Sequence, residues 1–147
     1  MSKNIENFFS KEQKQKIVEA IEAAEKNTSG EIRVHIESKC KPKAVERAAK
    51  VFYSLDMQKT KLRNGVLIYL AIADRKFAII GDEGINKLVP KDFWNDAKDL
   101  MLESFLKENF DDGIASAVAK VGEKLKEYFP YKSDDINELG DEISFGK

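Results

Sequence analysis

One cysteine, one histidine and one tryptophan are all that 147 residues hold of these types, and the first two scarcities exclude most of the usual site chemistries. A lone Cys40 cannot close an internal disulfide and offers no metal-thiolate pair, which suits a reducing compartment. The single His35 stands in an alternating segment with no Gly-x-Ser-x-Gly elbow anywhere, so nucleophile-and-base catalysis through His35 or Cys40 is not expected. No apolar run approaches the roughly 20 residues a membrane span needs, and residues 1–10 lack an apolar core behind a basic start, so a cytoplasmic protein is expected. Neither an internal repeat nor a low-complexity linker is present.

Charge of one sign is also missing in sum, at net −1, but not in distribution. Residues 39–63 carry eight Lys or Arg against Glu46 and Asp56, while residues 82–112 carry nine acids against four lysines. The basic stretch lacks the interleaved aromatic platforms on which bases stack, so it reads as a solvated helix face and no nucleic-acid partner is expected. Length and a hydrophobic content of 42% suffice for one core. The expectation is one domain over residues 1–130, monomeric, followed by an acidic tail over 131–147 that packs back on it.

The pattern alternates helix and strand. Ser10 with Gln13 forms a capping box before a helix carrying Ile17, Val18, Ile21 and Ala24, broken at residues 27–30. From Glu31 the period becomes two, with Ile32, Val34 and Ile36 on one side and Glu31, Arg33, His35 and Glu37 on the other, a strand with one wetter face near a sheet edge. Pro42 suits the first turn of a helix whose Val45, Ala48, Ala49, Phe52 and Leu55 form its buried stripe. Residues 66–73 are a fully apolar run, doubled back at Asp74-Arg75 onto residues 77–80, and only an interior strand accepts apolar side chains on both faces. Asp82 then caps a short helix, Pro90 opens a longer one through Phe105, and Asp111 or Asp112 caps a last helix that stops at Phe129-Pro130. The fold class expected is α/β, a three-layer α/β/α sandwich around a small mixed sheet of about four strands.

Oxygen ligands gather where these elements end. Gly81-Asp82-Glu83 returns antiparallel beside Asn64-Gly65, a rigid edge bearing two acids, and a hard cation accepts carboxylate and carbonyl oxygens, about six to eight of them. A phosphate would meet like charge there. Asp112, or Asp111, at a helix start is expected to reach the same edge, with simple capping as the competing role for Asp82 and Asp112. The tail adds Asp134, Asp135, Asn137, Glu138, Asp141 and Glu142, spaced by Ile136, Leu139 and Ile143, aliphatics that a merely solvated segment would not need. The metal ligands expected are therefore Asp82, Glu83, Asp112, Asp134, Asp135, Asn137, Glu138 and Asp141, holding one or two calcium or magnesium ions. Asp74 with Glu37 and Cys40, beyond the carboxyl ends of the parallel strands, is a further candidate.

The order Thr28-Ser-Gly-Glu-Ile-Arg-Val34, Arg63-Asn-Gly-Val-Leu67, Gly81-Asp-Glu-Gly84 and Phe110-Asp-Asp-Gly113 resembles the TPM domain family, over roughly residues 10–130. The resemblance implies an α/β/α sandwich with a four-stranded sheet, calcium binding, and the acid phosphatase activity claimed for a plant member. The function expected is a divalent-metal-binding, regulatory or interaction module whose loops the ions order. The alternatives are a metal-assisted acid phosphatase and an interaction domain for assembly or repair of other proteins.

Overall fold

The structure is a computed structural model that describes residues 5–40, 43–131, 140 and 142–146. After a 3-10 turn at Ile5–Asn7, the elements run α1 (Lys11–Glu25), β1 (Glu31–Glu37), α2 (Ala44–Ser54), β2 (Gly65–Ala71), β3 (Lys76–Gly81), α3 (Glu83–Asn86), α4 (Asn95–Leu106), α5 (Phe110–Tyr128) and β4 (Ser144–Phe145). Helix α1 starts at the expected capping box, with Ser10 Oγ accepting from Gln13 N–H and Gln13 Oε1 accepting from Ser10 N–H.

The sheet order is β3-β2-β1-β4. Strands β1 and β2 are parallel, Glu31 opposite Gly65 through Glu37 opposite Ala71, and β2 and β3 form the antiparallel hairpin, Val66 opposite Gly81. Every residue of β2 is buried. Period two explains why: Val66, Ile68 and Leu70 enter a core built with α1, α4 and α5, while Leu67, Tyr69 and Ala71 enter a smaller one built with α2. Helices therefore cover both faces, as the apolar run requires. The bases of the layers are tied by Thr28, which itself bridges Pro130 and whose hydroxyl donates to the Phe129 carbonyl.

Three sequence readings need correction. The face of β1 expected to be wetter is largely closed: Glu31, His35 and Glu37 are buried and Arg33 is half-buried, because Arg47 of α2 reaches over that side and β4 pairs at His35 and Ile36. In α2 the buried stripe is Ala48, Val51 and Phe52, and Val45 is exposed. Asp112 does not cap α5, whose N-cap is Asn109; it sits in the first turn, where negative charge favours the helix dipole. Pro42 lies outside the described residues.

Candidate functional site

Two polar constellations are held against the sheet, one at each end of β2. The first forms where the chain enters β2. A turn closed by Arg63 N–H to the Thr60 carbonyl puts Arg63 in the left-handed region, φ 51°, a strained conformation for a residue with a Cβ and one that collects at functional sites. From there its guanidinium grips Asp82 with two bonds, Nε to Oδ2 at 2.7 Å and Nη2 to Oδ1 at 2.8 Å, and reaches Glu83 Oε1 with Nη1 at 3.2 Å. Backbone holds the carboxylates in register: Asp82 N–H donates to the Gly65 carbonyl, and Gly84 N–H to that of Arg63. Asp82 also caps α3, its Oδ1 accepting from Glu83 N–H. Asp82 is buried, whereas the Glu83 side chain is 57% exposed.

The second constellation fills the gap between β1, β2 and α2. The Glu37 carboxylate, 2% exposed, accepts from Arg47 Nε and Nη2, both at 2.8 Å, from Tyr69 O–H and from His35 Nε2 at 3.1 Å. An ionised carboxylate only accepts, so His35 carries its proton on Nε2, and its Nδ1 accepts from Ser144 Oγ at 2.8 Å. Burial would raise the Glu37 carboxyl, but the bonds from Arg47, Tyr69 and His35 outweigh it and pull the pKa down to about 2. His35 is lowered chiefly by burial, with Glu37 opposing. Tyr69 is raised by burial and then by Glu37 and Cys40, so it remains a phenol. The set is charge-balanced and closed. Gly146 packs against it so tightly that a side chain there would stand 2.9 Å from His35 Nε2 and overlap Glu37. Beside it, Cys40 is buried and its N–H donates to Asp74 Oδ2 at 2.8 Å, which brings the third sequence candidate together as a turn clamp.

Of the expected metal ligands, the structure brings Asp82 and Glu83 together. Asp112 lies elsewhere: with Asp111 it pairs with Lys16 of α1, and Asp111 borders a cavity with Ile72 and Arg75, past the far end of β2. Seven residues at about 3.3 Å each put roughly 20 Å between the two groups. Asp134, Asp135, Asn137, Glu138 and Asp141 lie outside the described residues. Sequence reasoning gave no role to Arg63, Arg47, Tyr69 or Ser144. Two of these left a signal: Arg47 shares a helix side with Ala44, Ala48 and Val51, and Tyr69 is the one polar tip in the apolar run of β2.

Residues 3–124 match the TPM domain. The solved structure of the BA42 protein from the psychrophilic bacterium Bizionia argentinensis is similar to this chain at 49% identity and a TM-score of 0.91, covering 99% of this chain and 100% of that one. The N-terminal domain of the cg2496 protein from Corynebacterium glutamicum shares the fold, with 14% identity, a TM-score of 0.62, and coverage of 95% of this chain and 80% of that one. No curated protein matches, and no helix of the described residues is long and apolar enough to cross a membrane. With a match that spans most of its length and with the four-stranded α/β architecture it implies, this chain belongs to the TPM domain family.

Proposed function

We propose that this domain binds a divalent cation, calcium or magnesium, at the edge where Asp82 and Glu83 follow β3, and that the ion orders the adjoining loops for recognition by a protein partner. One observation carries the reading: two adjacent carboxylates share one guanidinium, which leaves negative charge on a rigid edge. The donors are hard oxygens. Besides the carboxylates, the carbonyls of Leu62 and Arg63 close over Gly84 in the space a side chain would take. Calcium needs about six to eight oxygens, and among the described residues no three His, Cys, Asp or Glu side chains gather as a cage. The edge therefore fits as part of a shell, completed by water and by the acids at 134, 135, 138 and 141 with Asn137.

Arg63 fixes Asp82 through both carboxylate oxygens, so Glu83, exposed and held by the single longer bond, is the ligand able to turn to an ion first. A bound cation would supply charge neutralisation and cross-linking of loops. The Arg63 guanidinium is engaged by Asp82 and Glu83 and is not free to clamp a phosphoryl group, so cation binding rather than phosphomonoester hydrolysis is the reading carried forward.

Thermal unfolding with calcium, magnesium or EDTA tests it. At about 100 times the dissociation constant the ion should stabilise by roughly 3 kcal/mol, raising Tm by about 5 °C or more. Glu83→Gln, at an exposed side chain, should abolish most of that rise, as should the combined amides at 134, 135, 138 and 141. An unchanged rise in Glu83→Gln would remove the ion from this edge, and no rise in the parent protein would reject the reading.

A further inference from the structure

A cavity of about 390 Å³ opens at the other end of the sheet, within the size range of small-molecule sites. It lies beyond the carboxyl ends of the parallel strands β1 and β2, where open α/β sheets place their ligands. Its apolar side is Phe8, Phe9, Ile72 and Phe110. All but Phe8 are buried; Phe8 is 47% exposed, although it packs edge to face on Phe9 at 5.0 Å and on Phe110 at 5.8 Å. An exposed ring on a buried aromatic floor is a surface prepared to cover something apolar.

The polar side carries both signs. Arg75, on the β2–β3 hairpin, donates to Glu108 on the α4–α5 connection and, at 3.4 Å, to the Phe105 carbonyl. Arg75 and Glu108 both hold left-handed backbone, φ 51° and 56°. Two strained non-glycine residues, from different connections, meet as an ion pair on one cavity wall. Strain of that kind, on the order of 1–3 kcal/mol per residue, persists where the surrounding structure imposes it and collects at ligand sites. On the same cavity Asp111 is largely shielded, its side chain 14% exposed, and it holds only a share of its cation: Lys16 Nζ is 3.8 Å away and closer to Asp112.

Electrostatics selects the ligand. A simple anion would face Asp111 and Glu108, and a simple cation would face Arg75 and the positive end of α5. A compact zwitterion with an apolar body meets neither conflict. We propose that this cavity binds a free α-amino acid with an apolar or aromatic side chain, its carboxylate on Arg75, its ammonium on Asp111 and its side chain under Phe8. The site is separate from the Asp82 edge, so the two proposals fail independently.

NMR titration of the intact 15N-labelled protein with L-phenylalanine and L-leucine tests it, beside N-acetyl-L-phenylalanine and L-phenylalaninamide. Expected are saturable shifts at the amides of Gln13, Arg75, Glu108 and Asp111, with both blocked derivatives weaker by about tenfold or more. Asp111→Asn, which keeps the size of the side chain, and Arg75→Gln, at an exposed one, should weaken the free amino acids by a similar factor in a protein whose spectrum stays dispersed, and Phe8→Ala should do so without moving the preference for the zwitterion. No saturable shift up to about 20 mM would overturn the proposal. So would equal affinity for the acetylated compound, which marks an anion site, or for the amide, which marks a cation site.

Discussion

Glu37 is the residue on which the small core depends. Its carboxylate is ionised in a nearly solvent-free position only because Arg47, Tyr69 and His35 all donate to it. The folded group titrates near 2 against an ordinary value of 4.5, so its stabilisation is complete above the ordinary value and is lost as pH falls from there toward the folded one. That difference is worth about 3 kcal/mol at face value, and roughly 2 once the partial exposure of Arg47 is allowed for. His35 adds an earlier step of the same sign. Its folded pKa is lowered below 6.5, so the unfolded chain takes up a proton first and stability begins to fall as pH drops through the ordinary value. Melting temperature against pH should therefore decline in two stages, beginning near 6.5 and again near 4.5. His35→Gln should flatten the first stage. Glu37→Gln should flatten the second and cost about 2–3 kcal/mol at pH 7 by leaving Arg47 and Tyr69 with a weaker acceptor. Both stages persisting unchanged in either variant would dissolve this account.

At the scale of elements, the sequence is legible where one periodicity acts alone. The capping box of α1, the β2–β3 hairpin and the stop of α5 at Tyr128 all follow from local pattern. It misleads where a partner decides. The alternation in β1 is real, yet its polar side is buried because Arg47 and Tyr69, distant in sequence, neutralise and satisfy it. Likewise Asp82 could be read as an edge acid, but not as Arg63's captive, since the left-handed turn at Arg63 has no glycine to announce it. Helix α5 hides a similar fact. Gly113 and Gly122 are about two and a half turns apart, so they open opposite sides of the helix. At Gly113 a side chain would overlap Ser104 of α4, and at Gly122 it would meet Ala24 Cβ of α1 at 2.7 Å. Each neighbour is fixed close to its own backbone, so neither can swing aside. Gly122→Val should push α1 away from α5 and destabilise by about 2–4 kcal/mol despite its better helix propensity, read as a fall in denaturant midpoint. Gly122→Ser, smaller, should cost less, and a neutral Gly122→Val would mean that the helices can separate freely.

For the whole molecule, the layers were foreseeable and the closing strand was not. Two residues, Ser144 and Phe145, have no strand periodicity to read, yet they finish the sheet by pairing with β1. Their hold is more than backbone: Ile143 and Phe145 pack on the larger core, Ser144 reaches His35, Lys14 lies 5.5 Å over the Phe145 ring, and Gly146 N–H donates to the Ile36 carbonyl. Without this segment β1 becomes an edge whose N–H and C=O groups lack partners beside a buried histidine, a template for pairing with another chain. Ending the chain after Glu142 should therefore leave the five helices and the β1–β2–β3 sheet folded, while costing about 2–4 kcal/mol from two half-buried apolar side chains and the lost hydrogen bonds. It should also uncover the Glu37 cluster, so that amide exchange accelerates at His35 and Ile36 rather than across β2. Light scattering should show concentration-dependent association of the shortened protein, suppressed by Ile36→Lys on the bared strand only at a further loss of stability, because that side chain belongs to the core. A shortened protein that stays monomeric, melts with the parent and exchanges as slowly at His35 would show that β4 is an ornament on the edge and that the sheet is complete with three strands.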